Sequence, residues 1–151
     1  MRQLTVLLAL AVVVIAAPTL TAQKPLDYQK PLDYKTAYQK AQAGDKPLLV
    51  LITATWCPPC QVMKKTTIPE LMKKEAFKGF HYSTVDLDQQ QKLARQLIGS
   101  RGVPQLIMYE KQEGKWIRRY LRGAQTPQTV EAFVAQSNKL RTASAKSTLE
   151  K

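Results

Sequence analysis

Hydrophobic residues gather in short runs separated by polar stretches, which is the pattern of alternating strands and helices. The continuous apolar run at residues 48–52 predicts a strand that is buried on both faces. Residues 81–87 predict a second strand, and residues 105–109 and 115–121 predict a hairpin that turns at residues 112–114. With helices between these strands, the order of elements predicts a central sheet covered by helices on both faces.

Capping residues and prolines predict the helices of the first half. Asp33 as an N-cap predicts a first helix over residues 34–43. A second helix begins at the cysteine motif described below and runs to about residue 65. Pro69 then interrupts it, because the residue before a proline avoids helical angles. A separate helical piece is expected over residues 70–78.

Two more helices are predicted in the second half of the chain. Asp88, followed three residues later by Gln91, resembles a capping box for a helix over residues 89–98. Thr126, followed by a proline at the first helical position, opens a last helix that ends near residue 140.

The folded domain is expected over residues 34–140, a length sufficient for one small core. Residues 23–35 contain the sequence Lys-Pro-Leu-Asp-Tyr twice. The two prolines favour an extended linker, which is expected over residues 23–33. Residues 141–151 are small and polar, and they predict a disordered basic tail.

The first 22 residues have the composition of a targeting segment. Arg2 precedes a fourteen-residue apolar run at residues 4–17, Pro18 ends that run, and Ala22 permits cleavage after it. The run is shorter than the roughly 20 apolar residues that span a bilayer. We therefore expect a cleaved signal peptide and an exported protein, periplasmic or secreted, with an uncleaved membrane anchor as the alternative.

Basic residues are spread along the chain, which carries a net charge of +12. They are not interleaved with aromatic residues, which nucleic-acid binding would use as stacking platforms, so no nucleic-acid partner is expected. The charge is compatible with attraction to acidic partners or anionic membrane surfaces.

The chain has two cysteines, Cys57 and Cys60, at a Cys-x-x-Cys spacing. A bridge between them closes almost no loop, so it would stabilise the fold little, and the pair is better suited to redox exchange. A zinc site needs four ligands, and His81 is the only histidine, so no metal is expected.

The position of the cysteines, after a buried strand and at the start of a helix, favours a thiolate. If Cys57 is the N-cap, Pro58 and Pro59 fill the first two helical positions and the first backbone donor is the N–H of Cys60. The helix end lowers the pKa of a cysteine there, which makes Cys57 the nucleophile. Cys60, one turn later and more buried, is the resolving thiol. Trp56 is expected either to cover the disulfide or to pack in the core.

Two segments carry a resemblance to a known family. Residues 49–60 combine the buried strand with Trp-Cys-Pro-Pro-Cys, and residues 99–106 contain Val103-Pro104 before a strand. On these segments, and on Gly123, the chain resembles the thioredoxin superfamily over residues 34–138. The resemblance implies a thioredoxin-like α/β fold, a central mixed β-sheet flanked by helices on both faces. It also implies that Pro104 is cis and packs opposite the disulfide, while Val103 offers its backbone to an incoming peptide.

Residues 63–67, with the proline that follows, look more like the C-terminal domain of membrane thiol:disulfide interchange reductases. The chain departs from thioredoxins at two positions. The buried acid that the family places six residues before the first cysteine is Leu51 here, and the lysine paired with that acid is replaced by Thr84. Deprotonation of Cys60 would then need water, another carboxylate or the substrate.

The expected function is that of an exported thiol–disulfide oxidoreductase that exchanges disulfides with protein substrates. The resemblance implies no cofactor beyond the cysteine pair, a separate redox partner protein and a monomer. The alternative is a non-catalytic thioredoxin-fold protein that binds partners or handles metals. Residue types do not fix whether the pair reduces, oxidises or isomerises disulfides.

Overall fold

Four strands form one mixed sheet in the computed structural model, which describes residues 30–44 and 46–149. The strands are β1 (Leu48–Thr53), β2 (His81–Asp86), β3 (Gln105–Gln112) and β4 (Lys115–Arg122). Their spatial order is β2-β1-β3-β4, with β1 parallel to β2 and antiparallel to β3. β3 and β4 form the predicted antiparallel hairpin.

In the described part of the chain, five α-helices precede, connect and follow these strands. They are α1 (Tyr34–Ala43), α2 (Pro58–Val62), α3 (Ile68–Lys73), α4 (Gln91–Ile98) and α5 (Pro127–Leu149). The first helix begins and ends where the sequence predicts. Asp33 caps it by accepting a hydrogen bond from the backbone N–H of Thr36 at 3.0 Å.

Every residue of β1 is buried because both faces of the sheet are covered. Leu49 and Leu51 point to one face, where they pack with residues of α3 and α5. Leu48, Val50 and Ile52 point to the other face, which α1 and α4 cover. The predicted mixed sheet flanked by helices on both faces is therefore confirmed.

The helix after the cysteine motif is not interrupted at Pro69, which corrects the prediction. A π-helical turn, Met63–Thr67, joins α2 to α3, and Ile68 keeps helical angles with φ −68° and ψ −46°. A proline in a helix cannot donate a hydrogen bond and crowds the carbonyl four residues earlier. The wider π turn directly before Pro69 gives the chain room to stay helical. α3 then ends at Lys73, earlier than predicted.

The predicted capping box of α4 is wrong. The helix begins at Gln91, and its N-cap residue, Gln90, makes no side-chain cap. The side chain of Asp88 is instead hydrogen-bonded to Thr55 and Trp56, next to the cysteines.

The last helix continues well past its predicted end near residue 140. Thr126 caps it as predicted, accepting a hydrogen bond from the N–H of Thr129 at 3.2 Å. The helix then runs to Leu149, so residues 141–149 are helical rather than the disordered tail predicted. Because no glycine or proline follows Pro127, nothing in the sequence ends the helix.

The end of the predicted linker belongs to the fold. The N–H of Leu32 donates to the carbonyl of Tyr82 at 2.9 Å, and the hydroxyl of Ser83 donates to the carbonyl of Leu32 at 2.8 Å. The predicted signal peptide and the linker residues 23–29 lie outside the described residues. Within the described ranges, no helix is both long and apolar enough to cross a membrane.

A buried carboxylate joins the hairpin to α5. Glu110 is fully buried, and its Oε1 accepts a hydrogen bond from Nε of Arg119 at 2.6 Å. Its other oxygen accepts a hydrogen bond from the hydroxyl of Ser137 on α5. The guanidinium of Arg119 also lies 4.7 Å from the ring centre of Phe133. These contacts fix the position of α5 on the sheet.

Candidate active site

Cys57 and Cys60 form a disulfide, with their sulfur atoms 2.09 Å apart. Cys57 is the N-cap of α2, and Pro58 and Pro59 occupy the first two helical positions. The backbone N–H of Cys60 lies 3.3 Å from Sγ of Cys57 and donates to it. The helix thus directs its first available donor at the sulfur of Cys57, as the sequence predicts.

Both cysteines are close to fully buried in the disulfide form. Cys57 is 3% exposed and Cys60 is 0% exposed. They form a small cluster with Ala54, against which Leu87 and Val103 pack. Cys57 is the more accessible of the two, but it is less exposed than a free helix end would be, because these side chains cover it.

The loop before β3 brings the second predicted half of the site to the cysteines. The Val103-Pro104 bond is cis, and Sγ of Cys57 lies 3.8 Å from the carbonyl oxygen of Val103. Pro104 is buried, and its carbonyl accepts a hydrogen bond from the N–H of Gly123 at 2.9 Å. This bond joins the loop to the end of β4.

Trp56 stands on the surface, so the alternative of core packing is excluded. Its side chain is 65% exposed, and the indole N–H donates to Oδ1 of Asp88 at 3.0 Å. Oδ2 of Asp88 accepts hydrogen bonds from the backbone N–H of Thr55 at 2.8 Å and from its hydroxyl at 2.5 Å. Hydrogen bonds from the side chain and backbone of Thr55 hold the pKa of Asp88 below its usual value.

Sequence reasoning missed Asp88 as a residue of the site. The local pattern after β2 is that of a helix cap, and the bonding partners of Asp88 lie more than thirty residues away along the chain. One signal could have indicated it. Asp88 follows the carboxyl end of β2, and the parallel strand β1 ends at the same edge of the sheet, just before the cysteine motif, so Asp88 is expected near the cysteines.

The sheet positions below the site hold mostly apolar and neutral side chains, with one carboxylate, Asp86, at the end of β2. Leu51 is fully buried, and its partner in the register of β1 and β2 is Thr84. The hydroxyl of Thr84 donates to the hydroxyl oxygen of Tyr82 at 3.1 Å. Burial raises the pKa of Tyr82 to about 12, which makes this phenol unsuited to act as a base. Asp86 pairs with Thr53 at the end of β1, on the same face of the sheet as Leu51.

His81 lies far from the cysteines. It pairs with Leu48 at the start of β1, whereas the cysteine motif follows the other end of that strand. Burial, together with the charges of Lys46 and Lys40, lowers the pKa of His81. The geometry therefore does not combine His81 with the cysteine pair in one metal site.

A cleft of about 320 Å³ lies at the end of the sheet away from the disulfide. Leu48 and Tyr109, a pair in the register of β1 and β3, line it together with Tyr38, Trp116 and Arg118. It contains neither cysteine, so the candidate site is defined by the disulfide and the loops around it.

Comparison with known proteins agrees with this arrangement. A family model described as thioredoxin-like matches residues 28–111, more than half of the chain. A thioredoxin from Aspergillus fumigatus is 30% identical over 76 residues, which cover 50% of this chain and 67% of that protein.

Solved structures show the same fold. A thioredoxin from Thermus thermophilus aligns with a TM-score of 0.60 at 22% identity, covering 71% of this chain and 85% of its own. The protein Trxlp from Edwardsiella tarda EIB202 aligns with a TM-score of 0.55 at 28% identity, covering 69% of this chain and 95% of its own. With the family model matching more than half of its residues and the cysteine pair at the head of α2, this chain belongs to the thioredoxin-like family.

Proposed function

We propose that this protein is an exported thiol–disulfide oxidoreductase that exchanges disulfides with protein substrates. Family membership and the bonded cysteine pair support a thiol–disulfide oxidoreductase in general terms. The observation that carries the proposal is the contact between Cys60 N–H and Cys57 Sγ at the head of α2. A donor at that position stabilises the thiolate that disulfide exchange requires.

The reaction proceeds in two exchanges at sulfur. In the reducing direction, the Cys57 thiolate attacks one sulfur of a substrate disulfide, that bond breaks, and the released substrate thiolate takes up a proton. The Cys60 thiolate then attacks Sγ of Cys57, which forms the intramolecular disulfide and releases the second substrate sulfur, also as a thiol. The substrate gains two electrons and two protons, and the cysteine pair loses them. A redox partner protein restores the dithiol, and an oxidising role runs the same steps in reverse.

The surroundings of the disulfide support a polypeptide as the substrate. The carbonyl oxygen of Val103 lies beside Cys57, and Trp56, the residue before Cys57, has an exposed side chain. A backbone group next to the reactive sulfur allows an extended peptide to be held irrespective of its side chains.

The proposal is tested by the reduction of insulin disulfides with dithiothreitol as the electron donor. Wild-type protein should accelerate the reduction, Cys57→Ser should abolish the acceleration, and Cys60→Ser should accumulate a mixed disulfide with the substrate. Thr66→Ser, on the exposed side of the π turn, is a control that should retain activity. No acceleration by folded wild-type protein, or activity that survives Cys57→Ser, would exclude the proposed chemistry and favour a binding protein.

Export rests on the composition of residues 1–22 alone. If the segment is a cleaved signal, the mature protein isolated from a bacterial periplasm should begin at Gln23, which mass spectrometry reads directly. A protein that retains residues 1–22 and sediments with membranes would support the anchor instead.

A further inference from the structure

Three arginines surround one tyrosine at the outer strand of the sheet. The guanidinium carbons of Arg122, Arg101 and Arg118 lie 4.6, 4.9 and 6.0 Å from the ring centre of Tyr120. Arg122 also donates a hydrogen bond from Nη2 to the hydroxyl oxygen of Tyr120 at 3.0 Å. The contacts hold the guanidinium groups in place before any partner arrives. We call these four residues the β4 basic surface.

This arrangement follows from the alternation of side chains along β4. Residues 118, 120 and 122 point to one side of the strand, and Arg119 points to the other, where it pairs with Glu110. In the sequence, Tyr120 stands between Arg119 and Arg122. The expectation that no aromatic residue is interleaved with the basic ones therefore fails at Tyr120.

The charge of the surface is not neutralised within the described part of the protein. None of Arg101, Arg118 and Arg122 forms an ion pair with a carboxylate of the described residues. Arg118, Arg122 and Tyr120 are exposed, and Arg101 is half-buried. Three guanidinium groups at one place attract carboxylates, with which arginine forms paired hydrogen bonds.

The surface begins at the loop that lies against the disulfide. Arg101 is two residues before Val103, and Arg122 pairs with Gln105 and precedes Gly123, which is bonded to Pro104. From there the surface extends along β4 to Arg118. β4 is an edge of the described sheet, whereas Leu32 pairs with the opposite edge at β2.

We propose that the β4 basic surface binds an acidic segment of the protein whose disulfide reacts with Cys57. The proposal rests on the proposed function and specifies that the substrate or redox partner carries a negatively charged segment. Arg118 and Arg122 are four residues apart on β4, a distance of roughly 13 Å along a strand. An extended segment with carboxylates at alternate positions also has carboxylates four positions apart, and it therefore matches both arginines. A nucleic acid fits less well, because its successive bases stack on several aromatic rings. The β4 basic surface has one such ring, that of Tyr120, and guanidinium groups already contact it.

The test measures binding without any thiol chemistry. The oxidised protein is titrated against fluorescein-labelled, cysteine-free peptides in which serine alternates with glutamate or, as a neutral match, with glutamine. The anisotropy should show tighter binding of the glutamate peptide, weakened by salt because exposed charges are screened over about 8 Å at physiological ionic strength. Arg101→Gln/Arg122→Gln should weaken it about threefold to thirtyfold, as expected for two exposed charge pairs.

A matched variant removes the same charge elsewhere. Lys73 on α3 and Lys139 on α5 are exposed, so Lys73→Gln/Lys139→Gln lowers the net charge equally, away from β4. Binding of the glutamate peptide should change less than twofold in this control. Thermal midpoints close to that of wild type would show that both double variants are folded.

Several outcomes would overturn the proposal. These are equal binding of both peptides, equal weakening by the two double variants, or tighter, arginine-dependent binding of a single-stranded DNA of matched charge. The assay also separates this proposal from the proposed function, because Cys57→Ser/Cys60→Ser should bind the peptide like wild type. If the protein binds the glutamate peptide selectively but does not reduce insulin, the binding role of the β4 basic surface is supported and the enzyme activity is excluded.

Discussion

The carboxylate of Asp88 accepts a hydrogen bond from the indole N–H of Trp56, 32 residues earlier in the chain, at 3.0 Å. The other oxygen of the carboxylate binds Thr55 twice. The segment between β1 and α2 is therefore attached to the loop after β2, and this attachment holds the exposed ring of Trp56, the residue before Cys57. Asp88 is accordingly a positioning residue for Trp56.

Replacing Asp88 by alanine should free Trp56. The indole would lose its acceptor and Thr55 would lose two hydrogen bonds, so the ring should become more mobile. In a Trp116→Phe background Trp56 is the only tryptophan, and its acrylamide quenching should increase in Asp88→Ala. Asp33→Ala is the control, because it removes a helix cap far from the ring and should leave quenching unchanged. Equal quenching with and without Asp88 would show that other contacts hold Trp56.

The same contact predicts a pH dependence. Hydrogen bonds from Thr55 hold the pKa of Asp88 below its ordinary value of 3.8. A carboxyl whose pKa is lowered by folding stabilises the folded state above the unfolded pKa, and this contribution is lost as the pH falls through the folded value. In the Trp116→Phe background, Trp56 emission should stay constant down to about pH 4 and change only at lower pH. Asp88→Asn should lack this transition, and a transition near neutral pH would contradict the assignment.

The two cysteines should differ in reactivity once they are reduced. Cys57 retains 3% exposure and receives the N–H of Cys60, whereas Cys60 is fully buried. Brief treatment of the reduced protein with iodoacetamide near neutral pH should label Cys57 much faster, because alkylation requires an accessible thiolate. Peptide mass mapping measures the ratio. Equal labelling, or a preference for Cys60, would reverse the assigned roles.

Local sequence patterns predicted most of the sheet and its helices. The apolar run of β1, the Asp33 cap of α1 and the Thr126 cap of α5 each depend on neighbouring residues, so the sequence reveals them. The errors occurred where a local pattern has two outcomes. Asp88 has the sequence of a cap but bonds to distant residues, and Pro69 has the sequence of a break but follows a π turn that accommodates it.

The candidate site likewise has features that the sequence predicts and features that it does not. The chemistry of Cys57 and Cys60 follows from their spacing and from the strand before them, and the cis bond before Pro104 follows from family resemblance. The β4 basic surface could not be predicted from composition. It depends on the register that places Arg122 beside Gln105 and on the turn of the loop at Arg101, neither of which is encoded by neighbouring residues.

The ion pair between Glu110 and Arg119 should respond unequally to the loss of each partner. The side chain of Glu110 is 0% exposed and that of Arg119 is 20% exposed. Arg119→Met leaves a fully buried carboxylate without its cation and should destabilise the protein by about 3 kcal/mol or more. Glu110→Gln should have a smaller effect, because the freed guanidinium can reach water and the amide can still bond to Ser137.

Urea unfolding of the two single variants and of Glu110→Met/Arg119→Met measures the difference. The double variant should regain part of the stability lost in Arg119→Met, because apolar side chains of similar size need no partner. Equal losses in both single variants, with no recovery in the double, would show that packing of the side chains, not their charge, stabilises this site.

The apolar side chain of Leu51 in β1 leads to a prediction in which a substitution lowers the free energy of unfolding but speeds the resolving step. Leu51 is fully buried and packs in the same cluster as Met63 and Leu106. Leu51→Asp places an ionisable group there and should destabilise the protein by about 3 kcal/mol or more, because the group loses hydration without an ionic partner. If the resolving step lacks a base, the new carboxylate should shorten the lifetime of the mixed disulfide, since a general base contributes roughly a hundredfold or more.

Leu49→Asp is the matched control, because Leu49 is equally buried and two positions earlier on the same face of β1. It should destabilise the protein to a similar extent while leaving the mixed-disulfide lifetime unchanged. Stopped-flow decay of a mixed disulfide with a fluorescent peptide, measured in conditions where all three proteins are folded, gives the lifetimes. A destabilised Leu51→Asp protein with the wild-type lifetime would mean that Cys60 already uses another base. Water and the carboxylate of Asp86, which pairs with Thr53 on the same face, would then be the candidates.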